Sequence, residues 1–146
     1  MTRAVHHSAL CVSDLDASRR FYTEGLGLEV LMDESFEGDW PTLFAAPSTR
    51  LRSIFLGDPA RPDAGIVELV QFEGGVGVGD ATGPPTSGFF LLSFFVGLDA
   101  TLERLAALGY RDVRRIEQSA PGGAVSMATL TDPDGVRIEL IDTPGR

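Results

Sequence analysis

At 146 residues the chain is long enough for one well-buried core, or for two half-sized modules that share one. A formal net charge of -9 sets it against nucleic acid and anionic membrane, because phosphate contacts need clustered basic side chains. Cys11 is the single cysteine, which excludes an internal disulfide and a thiolate cluster for zinc or iron–sulfur, and it is expected to be a small core residue of a strand.

In chain order, a first apolar strand ends at Val12, and Ser13, Asp14 and Asp16 then offer caps and first-turn charge for a helix that buries Leu15, Phe21 and Tyr22 and closes at Gly27. Strands are expected near Leu28–Phe36, Leu51–Leu56 and Gly65–Phe72. The stretch GGVGVGDATGPPTSG, Gly74–Gly88, lacks apolar periodicity and reads as a linker. A phosphate loop is its rival, but the spacing is not GxGxxG and no helix follows. A further apolar strand ends at Val96. The helix after it starts at Asp99, carries Leu98, Leu102, Leu105 and Ala106 at helical spacing, turns Glu103 and Arg104 to water, and closes at Gly109. Strands near Arg111–Glu117, Ala124–Leu130 and Arg137–Ile141 complete the chain, with Asp132-Pro133-Asp134-Gly135 as a type I turn at a hairpin tip.

The halves repeat one pattern. HSALCVSDLDASRRFYTEGLGLEV returns in weakened form as LLSFFVGLDATLERLAALGYRDV, and Glu68-Leu69-Val70 returns as Glu139-Leu140-Ile141. Strand alternation places His7 with Ala9 and Cys11 on one face, opposite Leu10 and Val12, which should pack under the helix. His6 falls on the helix-facing or edge side and is a spare candidate only. Glu68 and Glu139 each stand amid branched apolar residues, where an ionised carboxylate needs a partner, a hydrogen bond or a metal. For each, pairing with an arginine such as Arg50, Arg52 or Arg137 competes with a functional role. For His7 alone, an ordinary satisfied strand histidine competes with a metal ligand. Phe90 and Phe94 are expected in the core, while Phe89, Leu91, Ser93 and Phe95 share the face matched to His7 and could form an apolar wall for a planar ligand.

The opening signature HHSALCVSDLDASRRFYTEGLGLEV, the motif IVELVQF and the hairpin TDPDGVRIEL resemble those of the vicinal-oxygen-chelate superfamily, the glyoxalase, bleomycin-resistance and dioxygenase fold. The resemblance covers nearly the whole chain and is weakest at 34–46 and in the linker. It implies an α+β fold of two βαβββ modules that form a cup-shaped mixed sheet with helices outside. The domain would be a single one over 1–146, with module one at 1–73, the linker at 74–88 and module two at 89–146. Metal-dependent members bind one divalent ion through a His of the first strand, a Glu of the fourth, a His or Gln of the fifth and a Glu of the last. Carried over, that implies His7, Glu68 and Glu139 as ligands. Counting back five from Val12 gives His7, and five from Val96 gives Leu91, which cannot ligate. Mn, Ni, Zn, Fe or Mg would then sit in an incomplete set with water in the open position.

That departure disfavours an extradiol dioxygenase, whose second histidine would stand at Leu91. It leaves a metal-assisted lyase, isomerase or epimerase acting on a small oxygenated substrate through an enolate-type intermediate, with Glu139 or Glu68 as base. The alternative is a metal-free protein of the bleomycin-resistance kind that sequesters an aromatic or antibiotic-like molecule. A small-molecule ligand, a homodimer, and no nucleic-acid or membrane partner are expected. The absence of a signal-like apolar run in MTRAVHHSALCVSDLD makes a cytoplasmic location the expectation.

Overall fold

The computed structural model describes residues 3–77 and 83–143. Its elements are β1 (His7–Cys11), α1 (Leu15–Arg20), β2 (Glu29–Glu37), α2 (Trp40–Phe44), β3 (Arg50–Gly57), β4 (Ile66–Phe72), β5 (Leu92–Val96), α3 (Leu98–Ala107), β6 (Arg114–Ala120), β7 (Gly123–Thr131) and β8 (Arg137–Asp142). Each half builds its own four-stranded sheet in the same order, β1-β4-β3-β2 and β5-β8-β7-β6. Within each sheet the outer pair β1/β4 or β5/β8 is parallel and the other pairs are antiparallel. The architecture is thus α+β with two βαβββ modules. The chain divides into two compact units, one of residues 3–23 with 27–77 and one of 24–26 with 83–143. Of the expected linker, 78–82 lie outside the described residues.

Alternation explains the burial of the first unit. Leu10 and Val12 are buried, as are Leu15, Phe21 and Tyr22 of the helical segment and Ile54, Leu56, Val67 and Leu69 of the central strands. Fully burying each large aliphatic side chain contributes about 1.5–3 kcal/mol before entropy is counted. The Asp14 carboxylate caps α1 by accepting from the Ala17 N–H at 3.1 Å. After six residues α1 widens into a π-type turn over Phe21–Gly25, and Gly27, at φ 88°, takes the left-handed conformation that leads into β2. In the second unit, Leu98, Thr101 and Leu105 are the buried positions of α3. Gly97 has no side chain to cap α3, so the Asp142 carboxylate at the end of β8 accepts from the Leu98 N–H at 2.9 Å. The Asp132–Gly135 turn closes as expected, with Gly135 N–H donating to the Asp132 carbonyl at 3.0 Å.

Two expectations about the core are corrected. Cys11 is exposed rather than buried, because sending Leu10 and Val12 inward leaves the intervening residue on the open face. Phe90 is 50% exposed; it precedes β5, so strand alternation does not direct it, and its ring lies under the Arg137 guanidinium at 5.1 Å. Phe94 is half-buried. No helix among the described residues is long and apolar enough to cross a membrane.

A surface ion pair ties β2 to β3. Arg52 donates to both Asp33 oxygens at 2.9 and 2.8 Å, and this contact holds the Asp33 carboxyl below its ordinary range against an opposing desolvation effect. The folded-state value is depressed, so the stabilisation is present above the unfolded value near pH 3.9 and is lost as pH falls through the folded value. Arg52 is 42% exposed, which keeps the pair to at most about 1 kcal/mol. Asp33→Asn should therefore lower stability by up to that amount at pH 7 in urea unfolding, with the two proteins converging as pH falls through the depressed folded-state value.

Candidate functional site

The parallel pairing of β1 with β4 sets Ala9 beside Glu68, so His7, one same-face step earlier on β1, is a diagonal neighbour of that carboxylate. Its Nε2 lies 3.5 Å from Glu68 Oε1, with the glutamate side chain 17% exposed. Antiparallel pairing with β3 sets Phe55 directly opposite Glu68. The ring centroids of Phe55 and His7 are 5.5 Å apart. One same-face step along β3, Ser53 is 1% exposed and donates its hydroxyl to Glu68 Oε2 at 2.5 Å, the short geometry of a charge-assisted bond. One carboxylate oxygen is therefore held and the other faces His7.

His6 joins this group through an Nδ1···Nδ1 contact with His7 at 2.9 Å. One of these nitrogens must donate and the other accept. If His7 donates, its Nε2 carries a lone pair suited to a cation. If His6 donates, His7 Nε2 carries the proton and becomes a donor toward Glu68 Oε1 and the open face. His6 thereby sets the chemical character of His7, a role the sequence pattern did not suggest.

The second unit repeats the register with different side chains. Ser93 stands beside Glu139 across β5/β8, and Thr129 lies opposite it across β7/β8. The Ser93 hydroxyl donates to Glu139 Oε1 at 2.8 Å. Leu91 precedes Ser93 by two residues, as His7 precedes Ala9, so the structural register gives Leu91 the place equivalent to His7. Phe89 and Phe95 are exposed; Phe95 and Ser93 alternate within β5, whereas Phe89 and Leu91 precede it.

Neither carboxylate has the arginine partner considered from the sequence. Arg52 is committed to Asp33, and Arg137 donates to the Gly83 carbonyl at 2.7 Å while covering Phe90. Serines hold both glutamates instead. Ser53 and Ser93 each share a strand face with the neighbouring glutamate, which is the signal that could have found Ser53.

The imidazole and carboxylate of His7 and Glu68 suit a divalent ion in kind. Their 3.5 Å separation is close to that of two ligands each about 2.0–2.2 Å from one tetrahedral centre. The complete four-side-chain set does not fit, because Leu91 has no lone pair. Among the described residues no group of three or more His, Cys, Asp and Glu side chains is gathered to hold an ion.

His7, Ser53 and Glu68 form the polar end of a cavity of about 820 Å³ whose other walls include Met32, Phe36, Trp40, Phe44, Leu51 and Phe72. This cavity lies in the first module, apart from the face that carries Phe89 and Phe95. Part of it comes from α2, which lies in a segment without a legible motif; Asp39 capping the Thr42 N–H at 3.3 Å and Pro41 in the first turn are the signals that mark it.

The chain belongs to the Glyoxalase/Bleomycin resistance protein/Dioxygenase superfamily, whose model matches residues 4–140. It is 38% identical to the lactoylglutathione lyase-like protein terB of Aspergillus terreus, over 97% of this chain and 76% of that protein. It is 30% identical to a probable lactoylglutathione lyase of Vibrio parahaemolyticus, over 92% of this chain and 87% of that one. A glyoxalase family protein from Bacillus cereus shares the fold with a TM-score of 0.75 at 18% identity, over 97% of this chain and 95% of that one.

Ser53→Ala would leave Glu68 Oε2 without its hydroxyl donor. The expected cost in chemical denaturation is about 1.5–3 kcal/mol at pH 7, the range for a hydrogen bond to a charged group. A loss within experimental error would show that water replaces the hydroxyl freely.

Proposed function

We propose that the protein is a glyoxalase-like lyase or isomerase that moves a proton at a carbon beside a carbonyl of a small oxygenated substrate. The observation that carries this is the Glu68 carboxylate, fixed through one oxygen by Ser53 and turned through the other toward His7 at the polar end of a cavity. The printed names of the relatives, lactoylglutathione lyase-like and probable lactoylglutathione lyase, support the same class.

In this reading Ser53 aims Glu68 Oε1 at the substrate carbon, and Glu68 removes the proton and returns it to the adjacent position. His7, protonated on Nε2, donates to the oxygen on which charge develops. A divalent ion held by His7 and Glu68 would supply Lewis acidity at that oxygen. His7 would then donate from Nδ1 to His6 and present its Nε2 lone pair. Glu139, held by Ser93 in the second unit, is the second candidate base. Leu91 argues against extradiol chemistry. Sequestration without turnover is the second reading, favoured by the apolar lining of the cavity.

The test is exchange of substrate hydrogen for solvent deuterium, followed by proton NMR in D2O with a panel of α-hydroxyketones and the hemithioacetal of methylglyoxal and glutathione. Glu68→Gln should slow exchange by about 10²–10⁴-fold, the usual contribution of a general base. No exchange with any member of the panel, together with unchanged ligand binding in Glu68→Gln, would leave sequestration standing. Thermal shift with Mn, Ni, Zn, Fe(II) and Mg checks the ion separately. An ion present at 100 times its Kd should stabilise the fold by about 2.7 kcal/mol, and His7→Ala should remove that shift.

A further inference from the structure

The added helix of the first module and the charge of its cavity carry one step more, which rests on the proton-transfer reading above. We propose that the substrate is an uncharged molecule with an apolar, planar body, seated against Trp40 and Phe44 with its oxygenated end at Glu68, and that it is not an anionic thiol-peptide adduct.

The cavity's volume, about 820 Å³, falls within the range of pockets that enclose a small organic ligand. Its polarity is graded along the strands. Phe55 faces Glu68 at one end of the β3/β4 ladder, and Leu51 faces Phe72 at the other. Four residues along β4 separate Glu68 from Phe72, about 13 Å at the rise of a strand. Its ionisable and hydroxyl side chains gather at the His7, Ser53 and Glu68 end, and the remaining lining is largely apolar apart from the Cys11 thiol and the Trp40 indole N–H.

Trp40 and Phe44 form the apolar end's outer wall, their rings stacked with centroids 5.8 Å apart and planes 16° from parallel. The Trp40 ring lies against Gly38, where a Cβ would come within 2.6 Å of it, so its placement depends on that residue having no side chain. Trp40 and Ala46 also pack on the buried cluster of Leu51, Val70 and Phe72. The repeat itself marks α2 as an addition. In the second module β6 passes to β7 through a tight turn after Ala120, with no helix between them. The element present in one copy and missing from the other is the one that walls the cavity.

Charge decides against an anionic ligand. No arginine lines this cavity, and the chain contains no lysine. Arg50 and Arg52 alternate to the opposite face of β3 from Leu51 and Ser53, and Arg52 is already paired with Asp33. The shallow groove that Arg50 does line also carries Glu37 and Glu73. A glutathione adduct would bring carboxylates next to Glu68 with no arginine or lysine among the described lining residues to receive them, which desolvation and like-charge repulsion both oppose.

Trp40 is the only tryptophan, so its emission reports on this cavity alone. Titration of the whole protein with benzoin, a neutral aromatic α-hydroxyketone, should quench or shift that emission. Benzoin should bind at least tenfold more tightly than S-hexylglutathione, which carries an apolar tail on a charged peptide. Phe44→Ala, at an exposed position, and Phe36→Ala on β2 should each weaken benzoin at least fivefold while leaving circular dichroism unchanged. Equal or tighter binding of S-hexylglutathione overturns the proposal, as does unaltered benzoin affinity in both variants. If benzoin binds but its α-hydrogen does not exchange in D2O, the substrate class stands and the proton-transfer reading fails. If the glutathione hemithioacetal is turned over and benzoin does not bind, the substrate class fails and the proton-transfer reading stands.

Discussion

The parallel pairing of the first and last strand in each module is the constraint on which the rest depends. It fixes a glutamate beside a residue of a short strand, Ala9 for Glu68 and Ser93 for Glu139. Because side chains alternate, the same pairing sends Leu10 and Val12 inward and leaves His7 on the open face with Glu68. A one-residue slip would exchange the two sets and bury the charged groups. The buried central strands, with Ile54, Leu56 and Leu69 wholly covered, make such a slip expensive, so the core that stabilises the fold also sets the registry of the polar groups.

Within that registry the glutamates are held by hydroxyls rather than by guanidinium groups, and the difference matters chemically. An arginine would neutralise the carboxylate and make it a poor base, whereas a single serine hydroxyl occupies one oxygen and leaves the charge available. The arginines near the first site are drawn elsewhere: Arg52 is committed to Asp33, on the face away from the cavity. Glu68 is thus held by the Ser53 hydroxyl and faces His7 rather than a guanidinium.

The repeat, the strands, the two helices with their caps and the placement of His7 and Glu68 on one face were legible because each rests on period and alternation, which a sequence displays directly. Three features were not. The hydroxyl of Ser53 depends on the register between β3 and β4, which is set by pairing across a loop and not by local pattern. The exposure of Cys11 followed from the same alternation that placed His7, and the general tendency of cysteine to be buried gave way to it. Helix α2 has five residues, too short for a periodic stripe, and only Asp39 and Pro41 mark it.

The repeat explains how the two modules keep one topology while their sequences and exposed side chains diverge. The fold requires only that the equivalent strands pair in the same register, and Leu91 satisfies that as well as His7 does. Where His7 stands in one copy Leu91 stands in the other, and the first copy alone carries a helix, α2, between its second and third strands. An apolar cavity ending in one carboxylate favours a ligand with a single oxygenated end, because any further charge would have to be buried without a partner. Selectivity in this module then comes from what the cavity lacks as much as from what it contains.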